Sequence, residues 1–217
     1  DQPIRSDMEF DGLLDQLIAL EKKFPEFYDP NSPSQRVGGA LIKSFETHTH
    51  KRPMLSLSNS YDRKDLLAFM NRCKDSLKND LEWSVELKYD GVAISLCYEN
   101  RELKHALTRG DGIRGDDVSM NIRTINTIPL KLPTEAPKEL EVRGEVYFSF
   151  FSFEQLNKKR FTDEGVRFAN PRNAASGTLK MQDSSEVSRR GLSAFMYSMH
   201  SDELEVSSHI ESLKLLR

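Results

Sequence analysis

Between residues 8 and 24, "MEFDGLLDQLIALEKKF", the apolar positions Leu13, Leu14, Leu17, Ile18 and Leu20 recur at spacings of one, three and four. That period predicts an amphipathic helix with its charges on the opposite face. "DPNSPSQRVGG" follows, dense in Pro, Ser, Asn and Gly, and reads as a linker. A second helix is predicted over 62–78, "DRKDLLAFMNRCKDSLK", with Asp62 as its N-cap. Both apolar stripes are read as packing faces.

From Trp83 onward the period becomes strand-like. "EWSVELKYDGVAISLCYENRELKHALTRGDG" holds two alternating runs, joined at "ENRE" by a tight hairpin turn that lacks the favoured Asn-Gly pair. "ELEVRGEVYFSF" and "GLSAFMYSMH" predict further strands. Between them lie a helix-like "FSFEQLNKKR" and a stretch read as a loop, "FANPRNAASGTLK". Strands dominate and helices are interspersed without regular alternation. The expected class is therefore α+β, mainly antiparallel sheets with flanking helices after a small helical unit, rather than a doubly wound fold.

Composition narrows the picture. A chain of 217 residues supports one sizeable core and a small appendage. With 31 Lys+Arg against 34 Asp+Glu the net charge is −3, so any nucleic-acid contact must come from a local patch. Cys73 and Cys97 lie in no C-x-x-C or Cys/His spacing, which argues against a disulfide framework or a zinc site, and no metal ligand is assigned. The two unpaired cysteines fit a reduced, cytoplasmic setting. No apolar run approaches the roughly 18 residues of a membrane span, so no membrane contact is expected, and a monomer is expected. The chain opens at Asp1 without a methionine and stops within the apolar-periodic "SSHIESLKLLR", so it is expected to be part of something longer.

The candidate chemistry centres on "VELKYDGVA". On a strand, Glu86 and Lys88 lie two apart and share a face, and Asp90 stands where the strand meets Gly91. A lysine amine attacks well only when neutral, and neighbouring carboxylates favour its charged form. A nucleophilic Lys88 therefore requires cationic companions. The plain alternative is a lysine ion-paired on a solvated strand, and K-x-D-G alone is too short to decide. "ALTRGDGIRGDDVSMNIRTI" sets Arg109 before glycines at 110, 112 and 115, a loop able to offer amide N–H groups to anionic oxygens, or simply an acidic turn. "LEVRGEV" adds Arg143 and Glu145 around a strand glycine, and "NPRNAASGTLK" adds Arg172 and Lys180 among small residues. Together these fragments describe one pocket for a phosphorylated nucleoside.

"PMLSL", "KYDGVAISLCYENRELKHALTRGDGIRGDD", "NIRTI", "EVRGEV" and "NPRNAASGTLK", in this order, closely resemble the adenylation domain of bacterial NAD-dependent DNA ligases over almost the whole chain. The resemblance implies a nucleotidyltransferase fold of the ATP-grasp-like ligase kind at 45–217, preceded at 1–44 by part of a helical NAD-binding domain and linker. It implies that Lys88 attacks the α-phosphate of NAD and carries AMP as a phosphoramidate. AMP would pass to the 5′-phosphate of nicked double-stranded DNA, where the 3′-hydroxyl displaces it. Mg2+ is implied, held largely by water and substrate phosphate. K-x-D-G is shared with ATP-dependent nucleotidyltransferases, which remain one alternative; a non-catalytic nucleic-acid-binding module is the other.

Carried over position by position, Lys88, Asp90 and Gly91 form the attacking motif. Ser56, Leu57 and Glu86 would line the nucleoside pocket, Arg109 and Glu145 would hold the nucleotide, and Tyr197 would stack on adenine. Arg172 and Lys180 would contact phosphate, of nucleotide or DNA, and Asp7, Phe10 and Asp11 match the D-x-x-[YF]-D positions of the NAD-specificity segment. Three departures stand out: Phe10 where tyrosine is usual, Lys180 where arginine is usual, and Arg101 where the family prefers a turn glycine. Lysine at 180 keeps a point charge without a bidentate fork, and Arg101 is expected to bring only a different turn type. The family's remaining cationic motif and DNA-binding parts are expected beyond position 217, and its tyrosine pair before Asp1. The chain alone is therefore expected to be weak or inactive.

Overall fold

A computed structural model describes residues 7–35, 44–78 and 81–216, with side chains from residue 12 onward. The first helix, α1 (Asp7–Lys23), forms as its period predicts, and Leu14, Leu17 and Ile18 make its half-covered face. Of the stretch read as a linker, residues 29–35 are described and are held by side-chain bonds. Ser32 and Ser34 both donate hydroxyl hydrogen bonds to the Glu21 carboxylate, fastening a short 3-10 turn (Pro33–Gln35) back onto α1. Helix α2 (Arg63–Leu77) starts at Asp62, whose side chain accepts from the Asp65 N–H at 2.8 Å.

The core is built on four antiparallel strands, β2 (Val92–Glu99), β3 (Glu102–Thr108), β5 (Leu140–Tyr147) and β6 (Ser193–His200), ordered β3-β2-β5-β6. A separate two-stranded ribbon pairs β1 (Thr47–Thr49) with β4 (Arg114–Asp116). Helices α3 (Ser119–Ile122), α4 (Phe150–Glu164), α5 (Pro171–Leu179), α6 (Ser184–Arg190) and α7 (His209–Leu215) complete the α+β architecture.

Alternation along the strands divides the sheet. Ile94, Leu96, Tyr98, Val142 and Val146 point to one side, where Val118, Ile122, Ala174, Ala175, Leu179 and Val187 cover them. Each fully buried aliphatic side chain here contributes about 1.5–3 kcal/mol. Arg143, Glu145, Tyr147 and Phe195 occupy the other, partly open face.

Two expectations are corrected. "FANPRNAASGTLK" is not a loop: Asn170 caps α5 by accepting from the Arg172 and Asn173 N–H groups, and Pro171 fills the first turn. Its small residues serve helix-to-sheet contact, with Ala174 and Ala175 fully buried. Nor does the strand begin at Val85. Residues 81–90 run outside any strand, and β2 starts only at Val92. Alternation makes 84–90 strand-compatible, but no described strand pairs with it, and Val85 and Leu87 stay 94% and 78% exposed.

The "ENRE" hairpin is present, and its turn differs from expectation. Asn100 and Arg101 both take positive φ, 52° and 67°, the hallmark of the type I′ turn that glycine eases. Arg101 thus adopts the glycine-like conformation instead of changing the turn. Tertiary bonds hold it there: its N–H donates to the Lys138 carbonyl and its Nε to the Ala136 carbonyl, at 3.0 and 2.7 Å.

Candidate functional site

The open face of β5 and β6 gathers most of the residues singled out in the sequence. Gly91 opens β2 beside β5, and its N–H donates to Glu145 Oε1 at 3.2 Å. A Cβ at this position would sit 2.1 Å from the Val146 carbonyl oxygen, so only glycine lets the preceding segment pass so close to β5. Lys88, three residues earlier, is exposed, and its charge acts on Glu145. Burial pushes the Glu145 carboxyl above its usual range, although the Gly91 N–H and the cations Lys88 and Arg172 pull the other way.

Asp90 pairs with Arg172, whose Nη1 is 2.9 Å from Asp90 Oδ1, and its charge also acts on Glu145. Arg172 sits in the first turn of α5, so the corrected helix is what delivers this cation to the Lys88 segment. At the other end of α5, Lys180 Nζ pairs with Asp116 Oδ2 at 2.7 Å. Fully buried Asn121 fixes that end by donating to the carbonyls of Leu179 and Met181.

The glycine-bearing loop after β3 is tightly made. Asp111 Oδ1 accepts from the N–H groups of Ile113 and Arg114 at 2.8 and 2.7 Å, bonds that hold the Asp111 carboxyl below its ordinary range. Gly110 has φ +56°, and a Cβ there would meet the Arg114 carbonyl oxygen at 1.8 Å. Arg109 leaves this loop toward "PMLSL", where its Nη1 donates to Ser56 Oγ at 3.3 Å. The loop and "PMLSL" are joined again by Met54 N–H to the Gly112 carbonyl at 2.8 Å. Leu57 beside them is exposed.

Tyr197 results from a register slip. Arg143 pairs with Ser198 and Gly144 with Met196, so Tyr197 is the unopposed residue of a bulge, a device that re-aims a side chain. Burial raises the Tyr197 phenol, the Glu145 charge adds to this, and Arg143 and Arg109 oppose it. Tyr197, Glu145 and Arg109 are therefore electrostatic neighbours. Arg143 has a supporting part: it is salt-bridged to buried Glu141 and donates to the carbonyls of Arg52 and Pro53 at 2.6 and 3.0 Å, anchoring the entry to "PMLSL".

Two groups stand elsewhere. Glu86 faces His209 of α7, Oε1 to Nε2 at 2.7 Å, and not Lys88. The side chains of Asp7, Phe10 and Asp11 lie outside the described residues, although all three fall within α1. Sequence reasoning also missed a stack of three rings. Tyr89 and Phe195 lie 4.0 Å apart between centroids, tilted by 15°, and Phe195 and Tyr147 lie 5.1 Å apart. The signal was available as Tyr147 two residues after Glu145 and Phe195 two before Tyr197. The cations Lys88 and Arg172 near the Tyr89 ring, with Arg109 acting on Tyr197, suit a ligand that is anionic at one end and planar at the other.

Residues 42–217 match the family model for the NAD-dependent DNA ligase adenylation domain. The chain belongs to the NAD-dependent DNA ligase family. Residues 1–38 match the model for the DNA ligase-like N-terminal NAD+-binding domain. Among relatives named DNA ligase, that of Cytophaga hutchinsonii is 49% identical over 98% of this chain. Those of Christiangramia forsetii and Flavobacterium psychrophilum are 48% and 47% identical over 100% of it. The chain spans about a third of each relative, 32% of the first and 33% of the other two. Among the described residues of this ligase chain, no helix is long and apolar enough to cross a membrane.

Proposed function

We propose that this chain carries the adenylation step of an NAD-dependent DNA ligase, with Lys88 as the nucleophile. Lys88 Nζ attacks the α-phosphorus of NAD, a P–N bond forms as the pyrophosphate P–O bond breaks, and nicotinamide mononucleotide leaves. The 5′-phosphate of a DNA nick then attacks the lysyl-AMP phosphorus and frees the amine, and the 3′-hydroxyl displaces AMP to seal the strand. The observation that carries this reading is the anchoring of only the C-terminal end of the Lys88 segment, at Gly91–Glu145, beside the rings of Tyr89 and Phe195 and the cation of Arg172.

In this scheme Ser56, Leu57, Arg109, Glu145 and Tyr197 bind the nucleoside end, and Asp7, Phe10 and Asp11 serve the nicotinamide end. Arg172 and Lys180 exchange their carboxylate partners for phosphate oxygens, and Asp90 holds Arg172 ready until then. In-line positioning and charge neutralisation, more than a strong base, are what such a transfer needs. Magnesium belongs with the substrate, because it binds largely through water and phosphate oxygens while Asp90 and Asp116 already have cation partners. We divide the chain at 44/45, with the NAD-specificity part first.

Mass spectrometry of the parent ligase after incubation with NAD tests the assignment. One added adenylyl group is expected on the parent and none on its Lys88→Ala variant; an undiminished adduct on the variant overturns it. The 217-residue chain alone is expected to label weakly, because Val85–Leu87 has no strand partner among the described residues to hold Lys88 in place. Robust labelling of the chain alone would refute that expectation, and ATP supporting the adduct as well as NAD would refute the donor.

A further inference from the structure

The antiparallel ribbon at the base of the 109–113 loop brings together three side chains that the adenylation chemistry does not use. His48 is the middle residue of β1, opposite Gly115 of β4; His105 lies on β3; Asp117 directly follows β4. Their backbones are cross-linked, since the Asp117 N–H donates to the Glu46 carbonyl at 2.8 Å and Asp117 also bridges to Leu107. Their ligand-capable atoms all lie within 4.8 Å of one another. His105 Nδ1 is 2.7 Å and His48 Nε2 3.6 Å from Asp117 Oδ2.

We propose that His48, His105 and Asp117 form a binding site for a divalent transition-metal ion of the zinc class, distinct from the Lys88 site. Four observations carry it. First, His48 Nε2 is buried yet has no hydrogen-bond partner, a deficit that a metal bond would remove. Second, Asp117 is already oriented as a ligand. Its Oδ1 accepts from the Ser119 N–H and hydroxyl at 2.9 and 2.5 Å, leaving Oδ2 for the cluster, and Ser119 is itself held by the Ala106 N–H at 2.8 Å. Such outer bonds fix the geometry of metal ligands.

Third, the spacing needs only small adjustment, since the two histidine nitrogens lie within 4.8 Å of each other and have to close by no more than about 1.4 Å. Zinc bonds of about 2.1 Å in a tetrahedron set ligand atoms about 3.4 Å apart. The His48–Asp117 separation of 3.6 Å is close to that, and the His105–Asp117 pair at 2.7 Å needs to open by less than an ångström. Fourth, the site is accessible and has a further donor in reach. A cavity of about 430 Å3 reaches His105, Asp117 and Ser119, though not His48, and exposed Glu46 places Oε2 3.6 Å from His48 Nε2. Two imidazoles with carboxylate favour Zn2+, Co2+ or Ni2+ over Mg2+ or Ca2+.

A metal here would act as a clip. Two residues past His48, the ring of His50 reaches the Arg109 carbonyl at 3.2 Å, so the ion would fasten β1, β3 and β4 at the root of the loop that bears Arg109.

The test is calorimetric titration of the untagged, metal-stripped 217-residue chain with Zn2+, alongside Co2+ titration followed by its visible d–d absorption. One saturable equivalent is expected, with tetrahedral-type cobalt bands. His48→Gln and His105→Gln should each weaken binding at least about tenfold, and Ser119→Ala should weaken it through Asp117. His48 Nε2 makes no hydrogen bond, only 3.6 Å approaches to Glu46 and Asp117, so His48→Gln, checked for folding by thermal melting, decides the matter even if another variant unfolds. Absence of saturable binding, or wild-type affinity in His48→Gln, overturns the proposal.

Discussion

Gly91 and Glu145 are joined twice over: the Gly91 N–H donates to Glu145 Oε1 at 3.2 Å, and the glycine packs so closely that an added Cβ would come within 3.1 Å of Glu145 Cγ. The same Cβ would lie 2.1 Å from the Val146 carbonyl oxygen, which is backbone in the middle of the sheet and cannot step aside. Gly91→Ala is therefore expected to push the 84–90 segment off β5. The overpacking cost is about 1–3 kcal/mol in a urea melt. Adduct formation on Lys88 should fall further than the unfolded fraction explains. Wild-type stability and labelling in the Gly91→Ala variant would show that the close approach does not position the lysine.

The Asp90–Arg172 pair makes a different demand. Both side chains are more than half exposed, at 67% and 53%, so the pair is screened and contributes less than about 1 kcal/mol to stability. In the proposed mechanism its value lies in holding a guanidinium close to the segment that carries Lys88. Arg172→Ala is expected to leave the melting temperature almost unchanged while cutting adduct formation by about tenfold or more, as loss of a phosphate-stabilising cation should. Arg172→Lys should rescue it only in part, because a point charge replaces a bidentate fork. Labelling that stays at the wild-type level in Arg172→Ala would assign the pair a purely structural role.

Much of this arrangement is visible in the chain as text. Period-two alternation located β2, β3, β5 and β6, and the Asp62 cap located the start of α2, because each depends on neighbours a few residues away. Around Lys88 the alternation misleads for a physical reason: it says which residues can form a strand, whereas a strand also needs a partner edge. Helix α5 is hidden in the sequence because its Gly, Ser and Asn resemble loop chemistry. What makes it helical is the capping of Asn170 and the burial of Ala174, Ala175 and Leu179 against the sheet. His48, His105 and Asp117 carry no ligand spacing in sequence, and only the pairing of β1 with β4 and of Leu107 with Asp117 brings them to one place. The bulge that frees Tyr197 is equally a property of the pairing between β5 and β6.

At the far end of β6, His200 faces two arginines. Burial lowers its affinity for a proton, and the charges of Arg143 and Arg52 lower it further, against a smaller opposing pull from Glu141. The folded-state pKa is thus below the unfolded value of about 6.5. As pH falls through about 6.5 the unfolded chain takes up this proton before the folded one does, so folding stability is present in full above that pH and is lost below it. Melting temperatures measured between about pH 7.5 and about pH 5.5 should fall, and His200→Gln should flatten the decline by removing one of its contributors. The pH profile separates this electrostatic effect from lost packing, which would lower stability equally at every pH. Parallel profiles for the wild-type chain and His200→Gln would mean that His200 takes no part in the acid sensitivity.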